Sequence, residues 1–285
     1  MQTDLIGWRT LNRPYDKDFD QALRQHHQAS QFIALAGKYL VPRAADDSHT
    51  NMIFHFEKHA LTGRQFGQDF QLCLKLRDLV LCQADKQRKT LWEIDLKGKT
   101  RLKAFSEMKL LMEATGVDTS NLQERMHYTL PAHELDQGGV FHIDNREAND
   151  EAIDARYNAG LVLRQVAAPF EYAYPVAIWP HHFDTATILP IEYDEEGKLI
   201  RSLGLGWAIP DKLLPEPYYY IQYWTESDEA AAITAMATGE PVNGAWQGYA
   251  LRHSEIVALE EPAQQEELVL RFFDEGIGRL KDLRA

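Results

Sequence analysis

Four strand-period runs between residues 52 and 96, the last three joined by links too short for a crossover, constrain the fold of this chain most. Met52-Ile53-Phe54-His55-Phe56, Phe70 to Leu76, Leu79 to Cys82 and Thr90 to Leu96 are apolar runs separated by short polar turns. A parallel pair needs a dozen or more residues to cross over, so these runs are expected to form an antiparallel meander. Arg77-Asp78 and Lys86-Gln87-Arg88-Lys89 read as its hairpin turns.

Helical spacing brackets the meander. Over residues 16–40, Phe19, Leu23, His26, Ser30, Ile33 and Gly37 recur at three- and four-residue steps, and Pro42 follows the end. His26 lies on that inward stripe and reads as a hydrogen-bonded core residue. Residues 102–114 repeat the spacing through Phe105, Met108, Leu111 and Met112, with Gly116 as the stop. Residues 117–146 are less regular, with a strand expected at 126–130 and a turn at Gln137-Gly138-Gly139. A further helix is expected over residues 147–170, facing inward through Ile153, Tyr157, Leu161, Val162 and Val166. Its acidic start suits the positive end of a helix dipole.

A second strand set comes next: 175–193, broken by proline, then 199–209 and 218–224, with Asp194-Glu195-Glu196-Gly197 as a hairpin turn. Ser227 is expected to cap a short alanine-rich helix that has Asp228 and Glu229 in its first turn. Residues 239–248 read as a loop and 249–259 as strand. Pro262 opens a last helix that turns Val269, Phe272, Phe273, Ile277 and Leu280 inward. The predicted class is therefore α+β, with antiparallel β-meanders packed against long helices in one domain over residues 1–285. The repeated order of helix, strands and helix invites two similar halves, 1–120 and 145–285. The residues themselves do not repeat, and 117–146 is the expected boundary if the halves are separate.

A 285-residue chain, 45% apolar and 26% charged, has an ordinary globular composition. It can bury roughly three quarters of its unfolded surface, so folding needs no metal and any metal would serve chemistry. Acidic residues outnumber basic ones 43 to 30, a formal charge of −13 with no basic block. That surface repels phosphate backbones and anionic membranes, which argues against both as partners. The start, Met1-Gln2-Thr3-Asp4-Leu5, lacks a basic and an apolar signal region, and the apolar runs are too short to span a membrane. The expected location is cytoplasmic. Cys73 and Cys82 would approach each other across the Arg77-Asp78 hairpin, and read as apolar thiols in a reducing compartment.

Chemistry concentrates at Ile178-Trp179-Pro180-His181-His182-Phe183-Asp184. Imidazole and carboxylate move protons or bind divalent metals near neutral pH. If 176–188 is extended, alternation places His182 and Asp184 on one face, as a metal pair or a His–carboxylate pair. Alternatively, His181 and His182 fill a polar gap between sheet and helix while Asp184 orients one of them. Pro180 removes a ladder donor and marks an edge, bulge or bend. In Pro215-Glu216-Pro217-Tyr218-Tyr219-Tyr220, the same alternation aligns Glu216, Tyr218 and Tyr220 as a small-molecule lining or as ordinary core. His55, Glu57 and His59 would share a strand face able to take zinc or iron, although the spacing is not that of a metalloprotease helix. Gly204-Leu205-Gly206 lacks the strand–turn–helix setting of a dinucleotide site, and no P-loop, nucleophile elbow or CxxC motif occurs.

The strand Trp179-Pro180-His181-His182-Phe183-Asp184-Thr185, followed by a glycine-rich strand and Pro215-Glu216-Pro217-Tyr218-Tyr219-Tyr220, resembles a bacterial family of unknown function. The matching positions are Trp179, Phe183, Asp184, Glu216 and Tyr220. Only some members carry the two histidines. The family brings no activity or cofactor, so the resemblance implies an emphasis on this region and nothing more. Two readings stand. One is an enzyme or small-ligand binder, with His182 and Asp184 as base or metal ligands, Glu216 as a second catalytic carboxylate, and Trp179, His181, Tyr218 and Tyr220 as lining. The other is a non-catalytic interaction or structural module whose sheet edge or helix face pairs with another chain, a second copy of itself being one candidate.

Overall fold

The computed structural model describes residues 7–227, 233–244 and 246–283. It is an α+β protein with antiparallel sheets. The chain divides into two compact units that interleave along the sequence. One holds residues 16–153 and 177–183; the other holds 1–15, 154–176 and 184–285.

In the first of these units, helix α1 (Lys17–Leu40) starts where Asp16 accepts hydrogen bonds from the backbone N–H groups of Asp18 and Phe19, at 3.1 and 2.9 Å. Strands β1 (Ile53–His55), β2 (Ala60–Thr62), β3 (Gln71–Lys75), β4 (Val80–Ala84) and β5 (Thr90–Asp95) form an antiparallel sheet in sequence order. The sheet buries Phe54, Leu61, Leu72, Leu74, Leu81 and Ile94. Helix α2 (Arg101–Ala114) begins at a Thr100 cap and stops at Gly116, whose φ of 85° suits glycine. Strand β6 (Ala177–Trp179) also belongs here and bridges to Met52 through Ile178. The meander matches the expectation, but β2 is a strand the sequence pattern did not reveal. Residues 126–130 form no strand, and 134–137 form a 3-10 turn ending at left-handed Gly138.

Helix α1 buries an unusual polar belt of Gln25, His26, His27, Gln28, Ser30 and Gln31. Each such group must find a partner or cost about 1–3 kcal/mol. His26 Nε2 lies 2.9 Å from Asn149 Oδ1, consistent with the core role read from the sequence. His27 Nε2–H and the Gln31 amide both donate to the carbonyl of Pro180, at 2.8 and 2.9 Å.

In the other unit, strands β7 (Asp184–Tyr193), β8 (Leu199–Ala208), β9 (Tyr218–Thr225), β10 (Glu240–Asn243) and β11 (Gln247–Arg252) pair antiparallel in the order β10-β11-β9-β8-β7. Helix α5 (Pro262–Lys281) packs Val269, Phe272 and Phe273 into its core, with Phe273 edge-on to Tyr219 at 5.9 Å. Each such aromatic or aliphatic side chain contributes roughly 1.5–3 kcal/mol by burial. Residues 239–248 are largely the β10–β11 hairpin rather than a loop, and the strand expected to run to Leu259 ends at Arg252, where helix α4 (His253–Val257) begins. Helix α3 (Arg146–Ala167) contributes residues to both units. The helix expected after Ser227, with Asp228 and Glu229, lies outside the described residues. Among the described residues, no helix is long and apolar enough to cross a membrane.

Candidate functional site

The Trp179–Asp184 segment is not one continuous strand. After β6 the chain makes a tight turn over 180–183, in which the Phe183 N–H donates to the Trp179 carbonyl at 2.7 Å. Phe183 takes a left-handed φ of 57°, a strained choice for an aromatic residue, and is held there by full burial and a 5.0 Å stack on His27. Strand alternation therefore fails at this point. His181 and His182 project outward from the turn, 4.5 Å apart, with Tyr128 5.9 Å and Trp179 6.2 Å from the His181 ring. The predicted His182–Asp184 strand-face pair is thereby corrected: His182 belongs to an exposed turn, and Asp184 is the first residue of β7.

Asp184 finds a different partner. Its Oδ2 accepts a hydrogen bond from the Tyr220 hydroxyl at 2.6 Å. Tyr220 stands on β9 opposite Gly206 of β8, and its ring crosses the space a Cβ on Gly206 would fill, 2.3 Å from that position. Only glycine permits that crossing. Tyr218, two residues earlier on β9, stands 6.2 Å from the Tyr220 ring and donates through its own hydroxyl to Asp211 Oδ2 at 2.8 Å. Trp246 packs against Tyr220 at 6.1 Å. Two phenol–carboxylate pairs thus lie side by side over Gly206, Ala208 and Ala250. Burial, together with the Asp184 charge, pushes the Tyr220 hydroxyl well above the ordinary phenol range, so it remains a donor at all physiological pH values.

A buried cation belongs to the same unit. The Arg156 guanidinium is enclosed, donates through Nη1 to Thr185 Oγ1 at 2.9 Å, and lies 5.0 Å from the centre of the Trp207 ring. Burial lowers its pKa to about 9, against the opposing pull of the Asp184 carboxylate. Asp184 Oδ1 is itself buried and has no hydrogen-bond partner among the described residues. Sequence reasoning found Asp184, Tyr218 and Tyr220 but missed Arg156, Asp211, Gly206 and Trp246. Two signals existed: an arginine on the inward side of a long helix, and a glycine in the middle of a strand.

The other expected site residues lie elsewhere. Glu216 precedes β9 instead of sharing its face. Its carboxylate accepts from the Ser254 N–H at 2.8 Å and the Ser254 hydroxyl at 3.0 Å, with Arg252 at 3.8 Å, and so holds the start of α4. His55 ends β1 and its Nε2 lies 2.7 Å from Thr62 Oγ1, whereas Glu57 and His59 fall in the following turn, with His59 at a φ of 45°. The shared strand face predicted for those three residues does not form. Among the described residues, no group of three or more His, Cys, Asp or Glu is placed to hold a metal ion.

A small cleft of about 190 Å³, counting the space open to solvent, lies among Asp18, Gln21, His142, Asp144, Asn145 and Asn149. His142 stands between Glu134 at 2.7 Å and Asp144 at 2.9 Å. Burial opposes its charge, but the two carboxylates win and raise its pKa above 6.5. No family model, curated protein or solved structure matches the chain.

Proposed function

We propose that the protein binds a small polar molecule, with the Asp184–Tyr220 pair as its polar anchor. The observation that carries this reading is the buried Asp184 Oδ1, which has no hydrogen-bond partner among the described residues. Leaving a carboxylate oxygen in that state costs about 1–3 kcal/mol or more. A ligand hydroxyl, amine or amide would remove the cost. Trp246 and Tyr218 supply apolar flanks, and Arg156 offsets the negative charge. The organic donor is preferred to a divalent metal because, among the described residues, no group of three or more His, Cys, Asp or Glu is placed to hold one. As an enzyme, the Asp184 carboxylate would take up a proton from the ligand at Oδ1 while the Tyr220 hydroxyl steadies its Oδ2.

Ligand-observed NMR against a library of alcohols, amines and amides, each paired with its matched hydrocarbon, tests the reading. Donor-bearing compounds should bind the wild type and lose binding in a folded Asp184→Asn, Tyr220→Phe variant. Equal binding of donor and hydrocarbon partners, or binding unchanged in the variant, would contradict it. The interaction-module reading has one observation in its favour: Leu102 and Leu110, two turns apart on α2, are 66% and 67% exposed. Sedimentation of the wild type against Leu102→Glu, Leu110→Glu checks it, since a self-associating face should become monomeric.

A further inference from the structure

Cys73 and Cys82 are direct partners across the β3–β4 hairpin. Opposite residues in an antiparallel pair lie about 4.5–5.5 Å apart at Cα, within the roughly 4.4–6.8 Å range that a disulfide spans. Both thiols are free, Cys73 partly exposed and Cys82 buried. Thr62, Cys73, Cys82 and Glu93 form one row across four strands. Polar groups surround this row: His55 on Thr62 at 2.7 Å, and Lys75 donating to Glu93 at 2.5 Å. Reactive cysteines sit partly exposed in such polar, cationic settings, and a second thiol within reach lets their oxidation end in a reversible disulfide.

We propose that this pair is a site of reversible oxidation by hydroperoxides, with Cys73 the attacking thiol and Cys82 the resolving one. The Cys73 thiolate attacks one peroxide oxygen. An S–O bond forms, the O–O bond breaks, and the departing alkoxide or hydroxide takes up a proton as alcohol or water. Cys82 sulfur then attacks the Cys73 sulfenic acid; the S–S bond forms, the S–O bond breaks, and hydroxide leaves with the Cys82 proton as water. The two thiols lose two electrons, and the peroxide gains them. The division of roles follows from exposure and from the thiol–thiol hydrogen bond. That bond, with help from Lys75 and Lys58, holds Cys73 below the ordinary thiol value, whereas the same bond and burial push Cys82 up.

The full-length protein treated with dilute hydrogen peroxide is expected to lose two hydrogens by intact mass, to give a linked Cys73–Cys82 peptide, and to revert with dithiothreitol. In Cys82→Ser, a sulfenic-acid trap should label Cys73; in Cys73→Ser, Cys82 should remain unlabelled. If either variant fails to fold, the rates of alkylation in the native wild type decide the roles, and Cys73 should react at least ten-fold faster. Two unchanged thiols, a disulfide only between chains, over-oxidation of Cys73 without the link, or equal alkylation rates would overturn the proposal.

Discussion

Tyr220 and Asp184 are 36 residues apart and meet at 2.6 Å, so each satisfies a polar group of the other that would otherwise be buried unpaired. Removing the phenol oxygen in Tyr220→Phe leaves the carboxylate with neither oxygen paired. The expected loss is about 1–3 kcal/mol by urea unfolding, and a double-mutant cycle with Asp184→Asn should show coupling of the same order. Histidines give a second residue-level test. His142 has a folded pKa above 6.5, so its stabilisation is full below about pH 6.5 and fades as pH rises through the folded value. Buried His253, which donates to the Arg13 carbonyl at 2.9 Å, is shifted down by burial; its contribution is full above about pH 6.5 and is lost as pH falls through its folded value. Thermal midpoints against pH should therefore fall on the alkaline side in the wild type, and that limb should flatten in His142→Asn. At this scale the sequence showed the reactive residue types but not the pairs. A phenol that reaches across a glycine to another strand leaves no local spacing to read.

The turn over 180–183 shows why element boundaries decide a site. Pro180 correctly announced an interruption, but the left-handed Phe183 breaks the alternation that would have put His182 beside Asp184. Long helices were legible because apolar residues recur over several turns, and so were strands of five or more residues. Strands β2 and β10, at three and four residues, were too short to show a period. Glycine carried a different message on α1. Gly37 lies on its inward stripe, where an added Cβ would sit 2.5 Å from the His49 carbonyl oxygen and 2.9 Å from Thr50 Cα. Alanine is favoured over glycine by about 1 kcal/mol in a helix interior, yet both clashing atoms are backbone. Gly37→Ala is thus expected to destabilise by about 1–3 kcal/mol, as overpacking does, measured by chemical denaturation. A gain in stability would mean that the helix and the Ser48–Thr50 segment are not packed as described.

On the scale of the chain, residues 177–183 belong with 16–153 although 154–176 separate them, a division no compositional break announces. Residues 177–183 supply the Pro180 carbonyl to His27 and Gln31 and the Phe183 ring to His27. A fragment of residues 16–153 lacks these partners and is expected to unfold at lower urea, with a broader transition, than the corresponding unit in the full chain. The α+β class followed from periodicity alone; the interleaving did not, because it depends on which segment satisfies a buried polar helix face. The proposed binding function puts a donor from outside the chain at Asp184 Oδ1. A crystal structure of the purified protein at a resolution that orders waters tests it most directly. A ligand atom, or a water continuous with solvent, should lie about 2.5–3.2 Å from Asp184 Oδ1; a protein donor there, or a dry contact with carbon alone, would contradict the account.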